Sequence, residues 1–335
     1  MHYPLLDIYR YLAALIVCLS HYIFYWNKSE YFEFTSILGV ELFFVLSGFV
    51  LAPQIFRLES NLRKNLKIFL IRRWIRTIPP YIIALVCAAI FFGYGDYINL
   101  IKYITYTQNI ISDDAIPNFF SVAWSLSVEE WFYIFLPFSI MITSKIKYKV
   151  FKLDILTICF FTILILNIIR VFYNNEEVNW GEDIRRSVIF RLDTLCFGVI
   201  AYSLKDKLHT KYLYIFFIMF SLFIIYLVFN PLLLATNILL QNIFLPFCSF
   251  CFATLLILLT RFPQPKNITK IIGMYGANIS YSMYLFHIFF IHLTQNLFQN
   301  ILFSLIFYII LLKIFCLFFF IYFEKPLLKS RPNYI

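Results

Sequence analysis

The sequence predicts an all-α membrane protein of about ten transmembrane helices with both termini in the cytoplasm, and three observations carry that reading. First, 62% of the 335 residues are hydrophobic and 14% are charged. A soluble domain has about a quarter of its residues charged, so the apolar surplus here exceeds what one aqueous core can hold. Second, the apolar residues gather into runs close to the ~20 residues that a bilayer crossing requires. Third, basic residues favour alternate connections. Twenty Lys and Arg lie in five stretches, Arg57–Arg76, Lys145–Lys152, Lys205–Lys211, Arg261–Lys270 and Lys325–Arg331, while the intervening connections hold four, Lys28, Lys102, Arg185 and Arg186. Basic connections stay on the cytoplasmic side. The net charge of +10 is therefore mostly a topology signal. Membrane lipid is the expected partner surface and nucleic acid is not.

The runs follow in order. The first, 8–26, contains Arg10 and His21, eleven residues apart. That is about three full turns, so one helix face presents both, ~16 Å apart along the axis. The second, 37–56, opens with Glu41. The third, 79–95, starts at Pro79 and Pro80, after a basic stretch in which Arg73 and Arg76 are three residues apart. The fourth, 122–143, carries Glu129 and Glu130; the sixth, 187–204, carries Arg191 and Asp193; the ninth, 277–294, carries His287 and His292. The fifth, 153–173, the seventh, 212–229, the eighth, 238–260, and the tenth, 301–323, complete the set. The eighth holds a Cys-x-x-Cys, Cys248 and Cys251, with no second ligand pair nearby, so packing rather than metal binding is expected there. The start of the chain lacks the basic region and small-residue cleavage site of a signal peptide. One integral-membrane domain over 1–335, with no appended soluble domain, is the expectation.

Ionisable groups within a bilayer cost several kcal/mol and are commonly functional. Each also has a plainer reading. Arg10 can reach to the interface along its apolar stem. His21 can be a hydrogen-bonded packing residue, Arg73 and Arg76 can be topology signals beside lipid headgroups, and the acids and bases can form a structural ion-pair network. Their recurrence at similar depth on several helices favours an internal polar cavity. Arg73 and Arg76 have the fork geometry that suits phosphate.

The motifs, taken together, resemble those of the integral-membrane acyltransferase 3 family. "LDIYRYLAALIVCLSHY" is similar to its Arg, ten residues, His element; "GVELFFVLSGF", "RRWIRTIPPY", "AWSLSVEEWFYIFLP", "FRLDTLCFG", "ISYSMYLFH" and "FEKPLLK" follow in the family's order over almost the whole chain. Two departures stand out: Tyr11 where many members have Gly, and Glu41 where many have Asp. The resemblance implies a bacterial inner-membrane O-acyltransferase. Its donor would be acetyl-CoA or another acyl-CoA, with no metal, and its acceptor a hydroxyl of a surface glycan such as O-antigen or exopolysaccharide, lipid-linked or polymeric. Arg73 and Arg76, with Arg10, would bind the donor's phosphates from the cytoplasmic side. His21 would act as general base or form an acyl intermediate, with Glu129, Glu130 or Glu41 orienting its ring. Arg191, Asp193 and His287 would belong to the surrounding polar cluster. A multi-pass glycan transporter or flippase is the main rival, and a non-catalytic assembly subunit the third reading. The sequence does not encode the oligomeric state, the acyl chain or the acceptor position.

Overall fold

The computed structural model describes residues 3–28, 30–59, 61–111, 118–145, 154–295 and 297–333. The protein is an all-α membrane protein built from thirteen α-helices among these residues: α1 Pro4–Asn27, α2 Glu30–Phe56, α3 Leu62–Phe92, α4 Tyr97–Ile104, α5 Ala123–Lys145, α6 Ile155–Tyr173, α7 Leu192–Leu204, α8 Thr210–Phe229, α9 Pro231–Thr236, α10 Ile238–Arg261, α11 Asn267–Thr294, α12 Ile301–Phe319 and α13 Lys325–Lys329. Eight helices among the described residues are long and apolar enough to cross a membrane. The bundle turns large apolar side chains outward, including Phe160 and Ile168 on α6, Phe216 and Met219 on α8, and Ile306 and Ile310 on α12. Lipid, not water, suits such a surface.

Each of the ten predicted runs coincides with a helix, and two are not among the eight: α7 and α11. α7 has 13 residues, about 20 Å of helix, short of the ~30 Å hydrocarbon thickness. The chain before it is not a regular α-helix, because Val188–Phe190 makes a 3-10 turn and Val188 N–H bonds to Asn109 O at 2.8 Å.

Helix starts need correction. α3 does not begin at Pro79 but at Leu62, capped by Asn61, whose side chain accepts from Lys64 N–H. Pro79 and Pro80 lie inside it, so Arg73 and Arg76 project from a helix wall and not from a loop. Arg, Lys and Leu are strong helix formers, and Phe69, which is 1% exposed, anchors the amphipathic half. α2 and α11 likewise start earlier than the hydropathy suggests, at Glu30 and Asn267. The basic residues Lys147, Lys149 and Lys152 lie outside the described residues.

Two close approaches fix the interior. Gly48 of α2 and Gly198 of α7 meet backbone to backbone; a Cβ on Gly48 would lie 2.0 Å from Leu195 O, and one on Gly198 2.1 Å from Val45 O. Only glycines permit that crossing. α1 and α11 run side by side and in the same direction, with Gly276 under the Tyr11 ring, where a Cβ would meet Tyr11 Cγ at 2.2 Å. Tyr11 fits because Gly276 leaves room for its ring.

Candidate functional site

The α1–α11 register pairs residues about 266 apart. Cys18 lies against Met283 O, His21 against His287 and Tyr25 against His292. His21 Nδ1 is 2.8 Å from His287 Nε2, and His287 Nδ1 is 2.8 Å from the backbone carbonyl of Tyr284. The two imidazoles are nearly coplanar, 14° apart. These contacts assign the protons when both rings are neutral. A carbonyl oxygen only accepts, so His287 Nδ1 carries hydrogen and donates to Tyr284 O. His287 Nε2 is then an acceptor, and His21 Nδ1 donates to it. The free lone pair is left on His21 Nε2.

Three cavities follow one another through the bundle. At the end that holds the starts of α1 and α3, the first is lined by Asp7, Arg10, Arg76, Asn278, Glu324 and Leu328. The second, with about 730 Å³ of empty space, shares Arg10 and Arg76 and adds Ser47, Arg73, Glu129, Tyr133, Tyr281 and Tyr284. The third shares Val40 and Tyr284 with the second and is lined by His21, Tyr25, Glu33, Trp124, Arg185 and Arg186. Val40 and Tyr284 are thus the common wall of the second and third. Tyr284 is fixed there by its hydroxyl, 2.5 Å from Ser125 Oγ.

Of the sequence-predicted residues, Arg10, Arg73, Arg76 and Glu129 come together around the second cavity. Arg73 donates to Gln54 at 2.7 Å. Glu129 accepts from Ser47 at 2.5 Å and from Tyr133 at 3.1 Å. Glu130 is 5% exposed on the other side of α5, and its Oε1 accepts no hydrogen bond among the described residues. Glu41, Arg191 and Asp193 form a separate group: Arg191 donates to Glu41, Arg170 donates to Asp193, and all four side chains are at most 1% exposed.

The sequence puts a carboxylate of Glu41, Glu129 or Glu130 forward to orient His21, and in the structure the partner of its Nδ1 is His287. The reason is helix register: the small residue Gly276 lets α11 lie close along α1 and carries His287 opposite His21.

Sequence reasoning missed three residues. Arg170, near the end of α6, reads as a boundary charge but is 1% exposed and paired with Asp193. Glu324 lies within the "FEKPLLK" motif and lines the first cavity. Arg331 counts in the sequence only as a topology charge. In the structure the tail folds back on α3, with Arg72 donating to Pro332 O at 2.5 Å. Burial, and then the charges of Arg76, Arg73 and Arg72, push the Arg331 guanidinium down to about 9. Its Nε and Nη2 are buried and make no hydrogen bond among the described residues. Crowded guanidiniums of this kind are suited to an anion. Among the described residues no group of three His, Cys, Asp or Glu side chains could hold a metal ion.

A family model described as an acyltransferase domain matches residues 3–324. Peptidoglycan O-acetyltransferase OatA of Listeria monocytogenes is 28% identical over 159 residues, which is 42% of this chain and 25% of that protein. Proteins of Staphylococcus aureus strains COL and Mu50, both named "Putative O-acetyltransferase", are 29% identical over 222 residues, 59% of this chain and 34% of theirs. The matched region thus spans about a quarter to a third of the length of these relatives. No solved structure matches the chain.

Proposed function

Because the chain belongs to the membrane acyltransferase 3 family, we propose that it moves an acetyl group from acetyl-CoA to a hydroxyl of a surface glycan, such as O-antigen or exopolysaccharide, in the bacterial inner membrane. The single observation that carries the reading is the hydrogen-bond chain from His21 through His287 to the Tyr284 carbonyl, which leaves the His21 Nε2 lone pair free in a side chain that lines a cavity next to one lined by three arginines.

The donor enters at the cytoplasmic end, where Arg10, Arg73 and Arg76 bind its phosphates by charge-assisted hydrogen bonds. The pantetheine arm lies along the second cavity, and the thioester reaches the wall formed by Val40 and Tyr284. The acceptor enters the third cavity from the opposite face. His21 Nε2 takes the proton of the acceptor hydroxyl as that oxygen bonds to the thioester carbonyl carbon. The C–S bond then breaks, and the leaving thiolate takes the proton from His21, giving the ester and free CoA. His287 holds the ring and stabilises the transient imidazolium, as a positioning residue.

The test uses purified full-length protein in nanodiscs with radiolabelled acetyl-CoA and the host glycan. Label appearing as a base-labile ester on the glycan, lost in His21→Ala, is the expected result. Label that stays on CoA while unmodified glycan crosses the bilayer would overturn the reading in favour of a transporter.

A further inference from the structure

We propose that the third cavity contains a recognition subsite for an anionic group of the acceptor, a saccharide carboxylate or phosphate, and that Arg185 is its anchor. The inference rests on the acyl-transfer reading for the identity of the acceptor. It specifies a chemical class that the reading leaves open.

The observation is an unfilled guanidinium. Arg185 is 6% exposed, so it has left water almost completely. Its side chain nevertheless makes no hydrogen bond among the described residues, and its Nε is fully buried without one. Its nearest acid is Glu33, 3.8 Å away and 44% exposed at the rim, beyond hydrogen-bond reach. A buried guanidinium normally satisfies its donors, since leaving them unpaired costs more than the bonds return. The neighbouring Arg186 differs in donating to Glu182 four residues back, although its Nε is also buried without a hydrogen bond among the described residues. Both line the third cavity, and Arg185 is held there by a ring. Trp124 lies beneath Arg185, with the guanidinium carbon 5.6 Å from its ring centroid, and fixes the fork in the cavity that His21 also lines. Burial, then repulsion from Arg186, lowers the Arg185 guanidinium to about 9, which leaves it charged at neutral pH.

A planar fork with free N–H groups takes two oxygens of one carboxylate or phosphate in parallel. Glu33 is the placeholder: it sits close enough to attract but not to bond, and its exposure lets it swing aside. The anion therefore docks at Arg185 while a hydroxyl of the same saccharide lies toward His21. Specificity of this type is strong, because a neutral acceptor leaves the buried fork unpaired.

The experiment compares two probes on the full-length protein in phosphatidylcholine nanodiscs: tetragalacturonic acid and its carboxyl-reduced neutral counterpart. Binding is measured by calorimetry, and transfer from acetyl-CoA in parallel. The acid is expected to bind at least tenfold tighter and to weaken as salt rises. Arg185→Gln is expected to abolish the preference, and Arg185→Lys, which keeps the charge and reports folding, to retain part of it. Equal binding of both probes, or a preference that survives in both variants, overturns the proposal. So does a preference that disappears when phosphatidylglycerol replaces phosphatidylcholine, since the fork would then hold a lipid headgroup. A uniform slowing of transfer to both probes in Arg185→Gln, without a change in their ratio, also overturns it, because that describes an oxyanion contact. Thiol release from acetyl-CoA is read separately. Its absence in the wild type defeats the acyl-transfer reading, whereas its presence without acid preference defeats only this inference.

Discussion

The interior of the bundle holds two groups of charges that look alike in the sequence and differ in the structure. Glu41, Arg191, Asp193 and Arg170 form two closed pairs, each acid matched by one guanidinium, all at most 1% exposed. Arg10, Arg73 and Arg76 border open space together with Asp7, Glu129 and Glu324, and the tail residue Arg331 lies nearby. The first group is what a low-dielectric interior demands once charges are present. The second leaves room for an anion between its guanidiniums. Buried charge in a membrane protein therefore does not by itself mark chemistry; charge that borders a cavity is the better pointer. The closed pairs have a different use. They fasten α2 and α6 to the start of α7, about two turns from the glycine crossing, beside the cavity wall on which Val40 and Phe44 sit.

The largest test lies outside both groups and sets the scale for them. His21→Ala is expected to lower acyl transfer by about 10²- to 10⁴-fold, the usual worth of a general base, with donor binding measured by calorimetry unchanged. Next is the closed group. Arg191→Ala leaves Glu41 buried and unpaired, at a cost of about 3–5 kcal/mol, read as loss of a monodisperse species in detergent and a lower unfolding temperature. Replacing both partners, Glu41→Leu with Arg191→Met, is expected to restore most of that stability, since apolar pairs of similar volume are often neutral or better. Failure of the double variant to recover would assign the pair a role beyond mutual neutralisation. The open group is expected to respond with the opposite sign. Arg76→Gln relieves repulsion, so stability is unchanged or higher, while donor affinity falls about tenfold or more through loss of a charge-assisted contact.

Much of this architecture is legible in the sequence because bilayer thickness imposes length and composition on each helix. Ten apolar runs mark ten helices, and the Arg10–His21 spacing places both on the inward face of α1. The ends of α3 and α11 were hidden because their first turns are polar and helical at once, and hydropathy reports only the apolar part. His21 was legible as an ionisable group in an apolar run, but its partner was not. The choice of His287 over any carboxylate depends on the register between two helices some 266 residues apart, set by Gly276 beneath Tyr11, and no local pattern encodes that. The division of charges into closed and open groups was hidden for the same reason. Arg170 completes the closed group from a position that reads as a helix end, and Arg331 joins the open group through a tail that folds back by a backbone contact, Arg72 to Pro332.

Arg331 gives the smallest effect and the sharpest comparison. It stands outside the spanning helices and does not line the cavities that Arg76 lines, so its share of donor binding is smaller; about a fivefold loss of affinity is expected for Arg331→Gln, at the weak end for a charge-assisted contact. Its guanidinium is repelled by Arg76, Arg73 and Arg72. Removing that charge should therefore raise the unfolding temperature of the donor-free protein slightly while narrowing the further rise that acetyl-CoA produces, because ligand stabilisation follows the affinity for the folded state. A charge in a closed pair cannot behave this way: its removal lowers stability with or without donor. If Arg331→Gln lowers the unfolding temperature of the free protein and leaves the donor-induced rise unchanged, Arg331 belongs with Arg170 and Arg191 as a structural charge, and the open group ends at the helix walls.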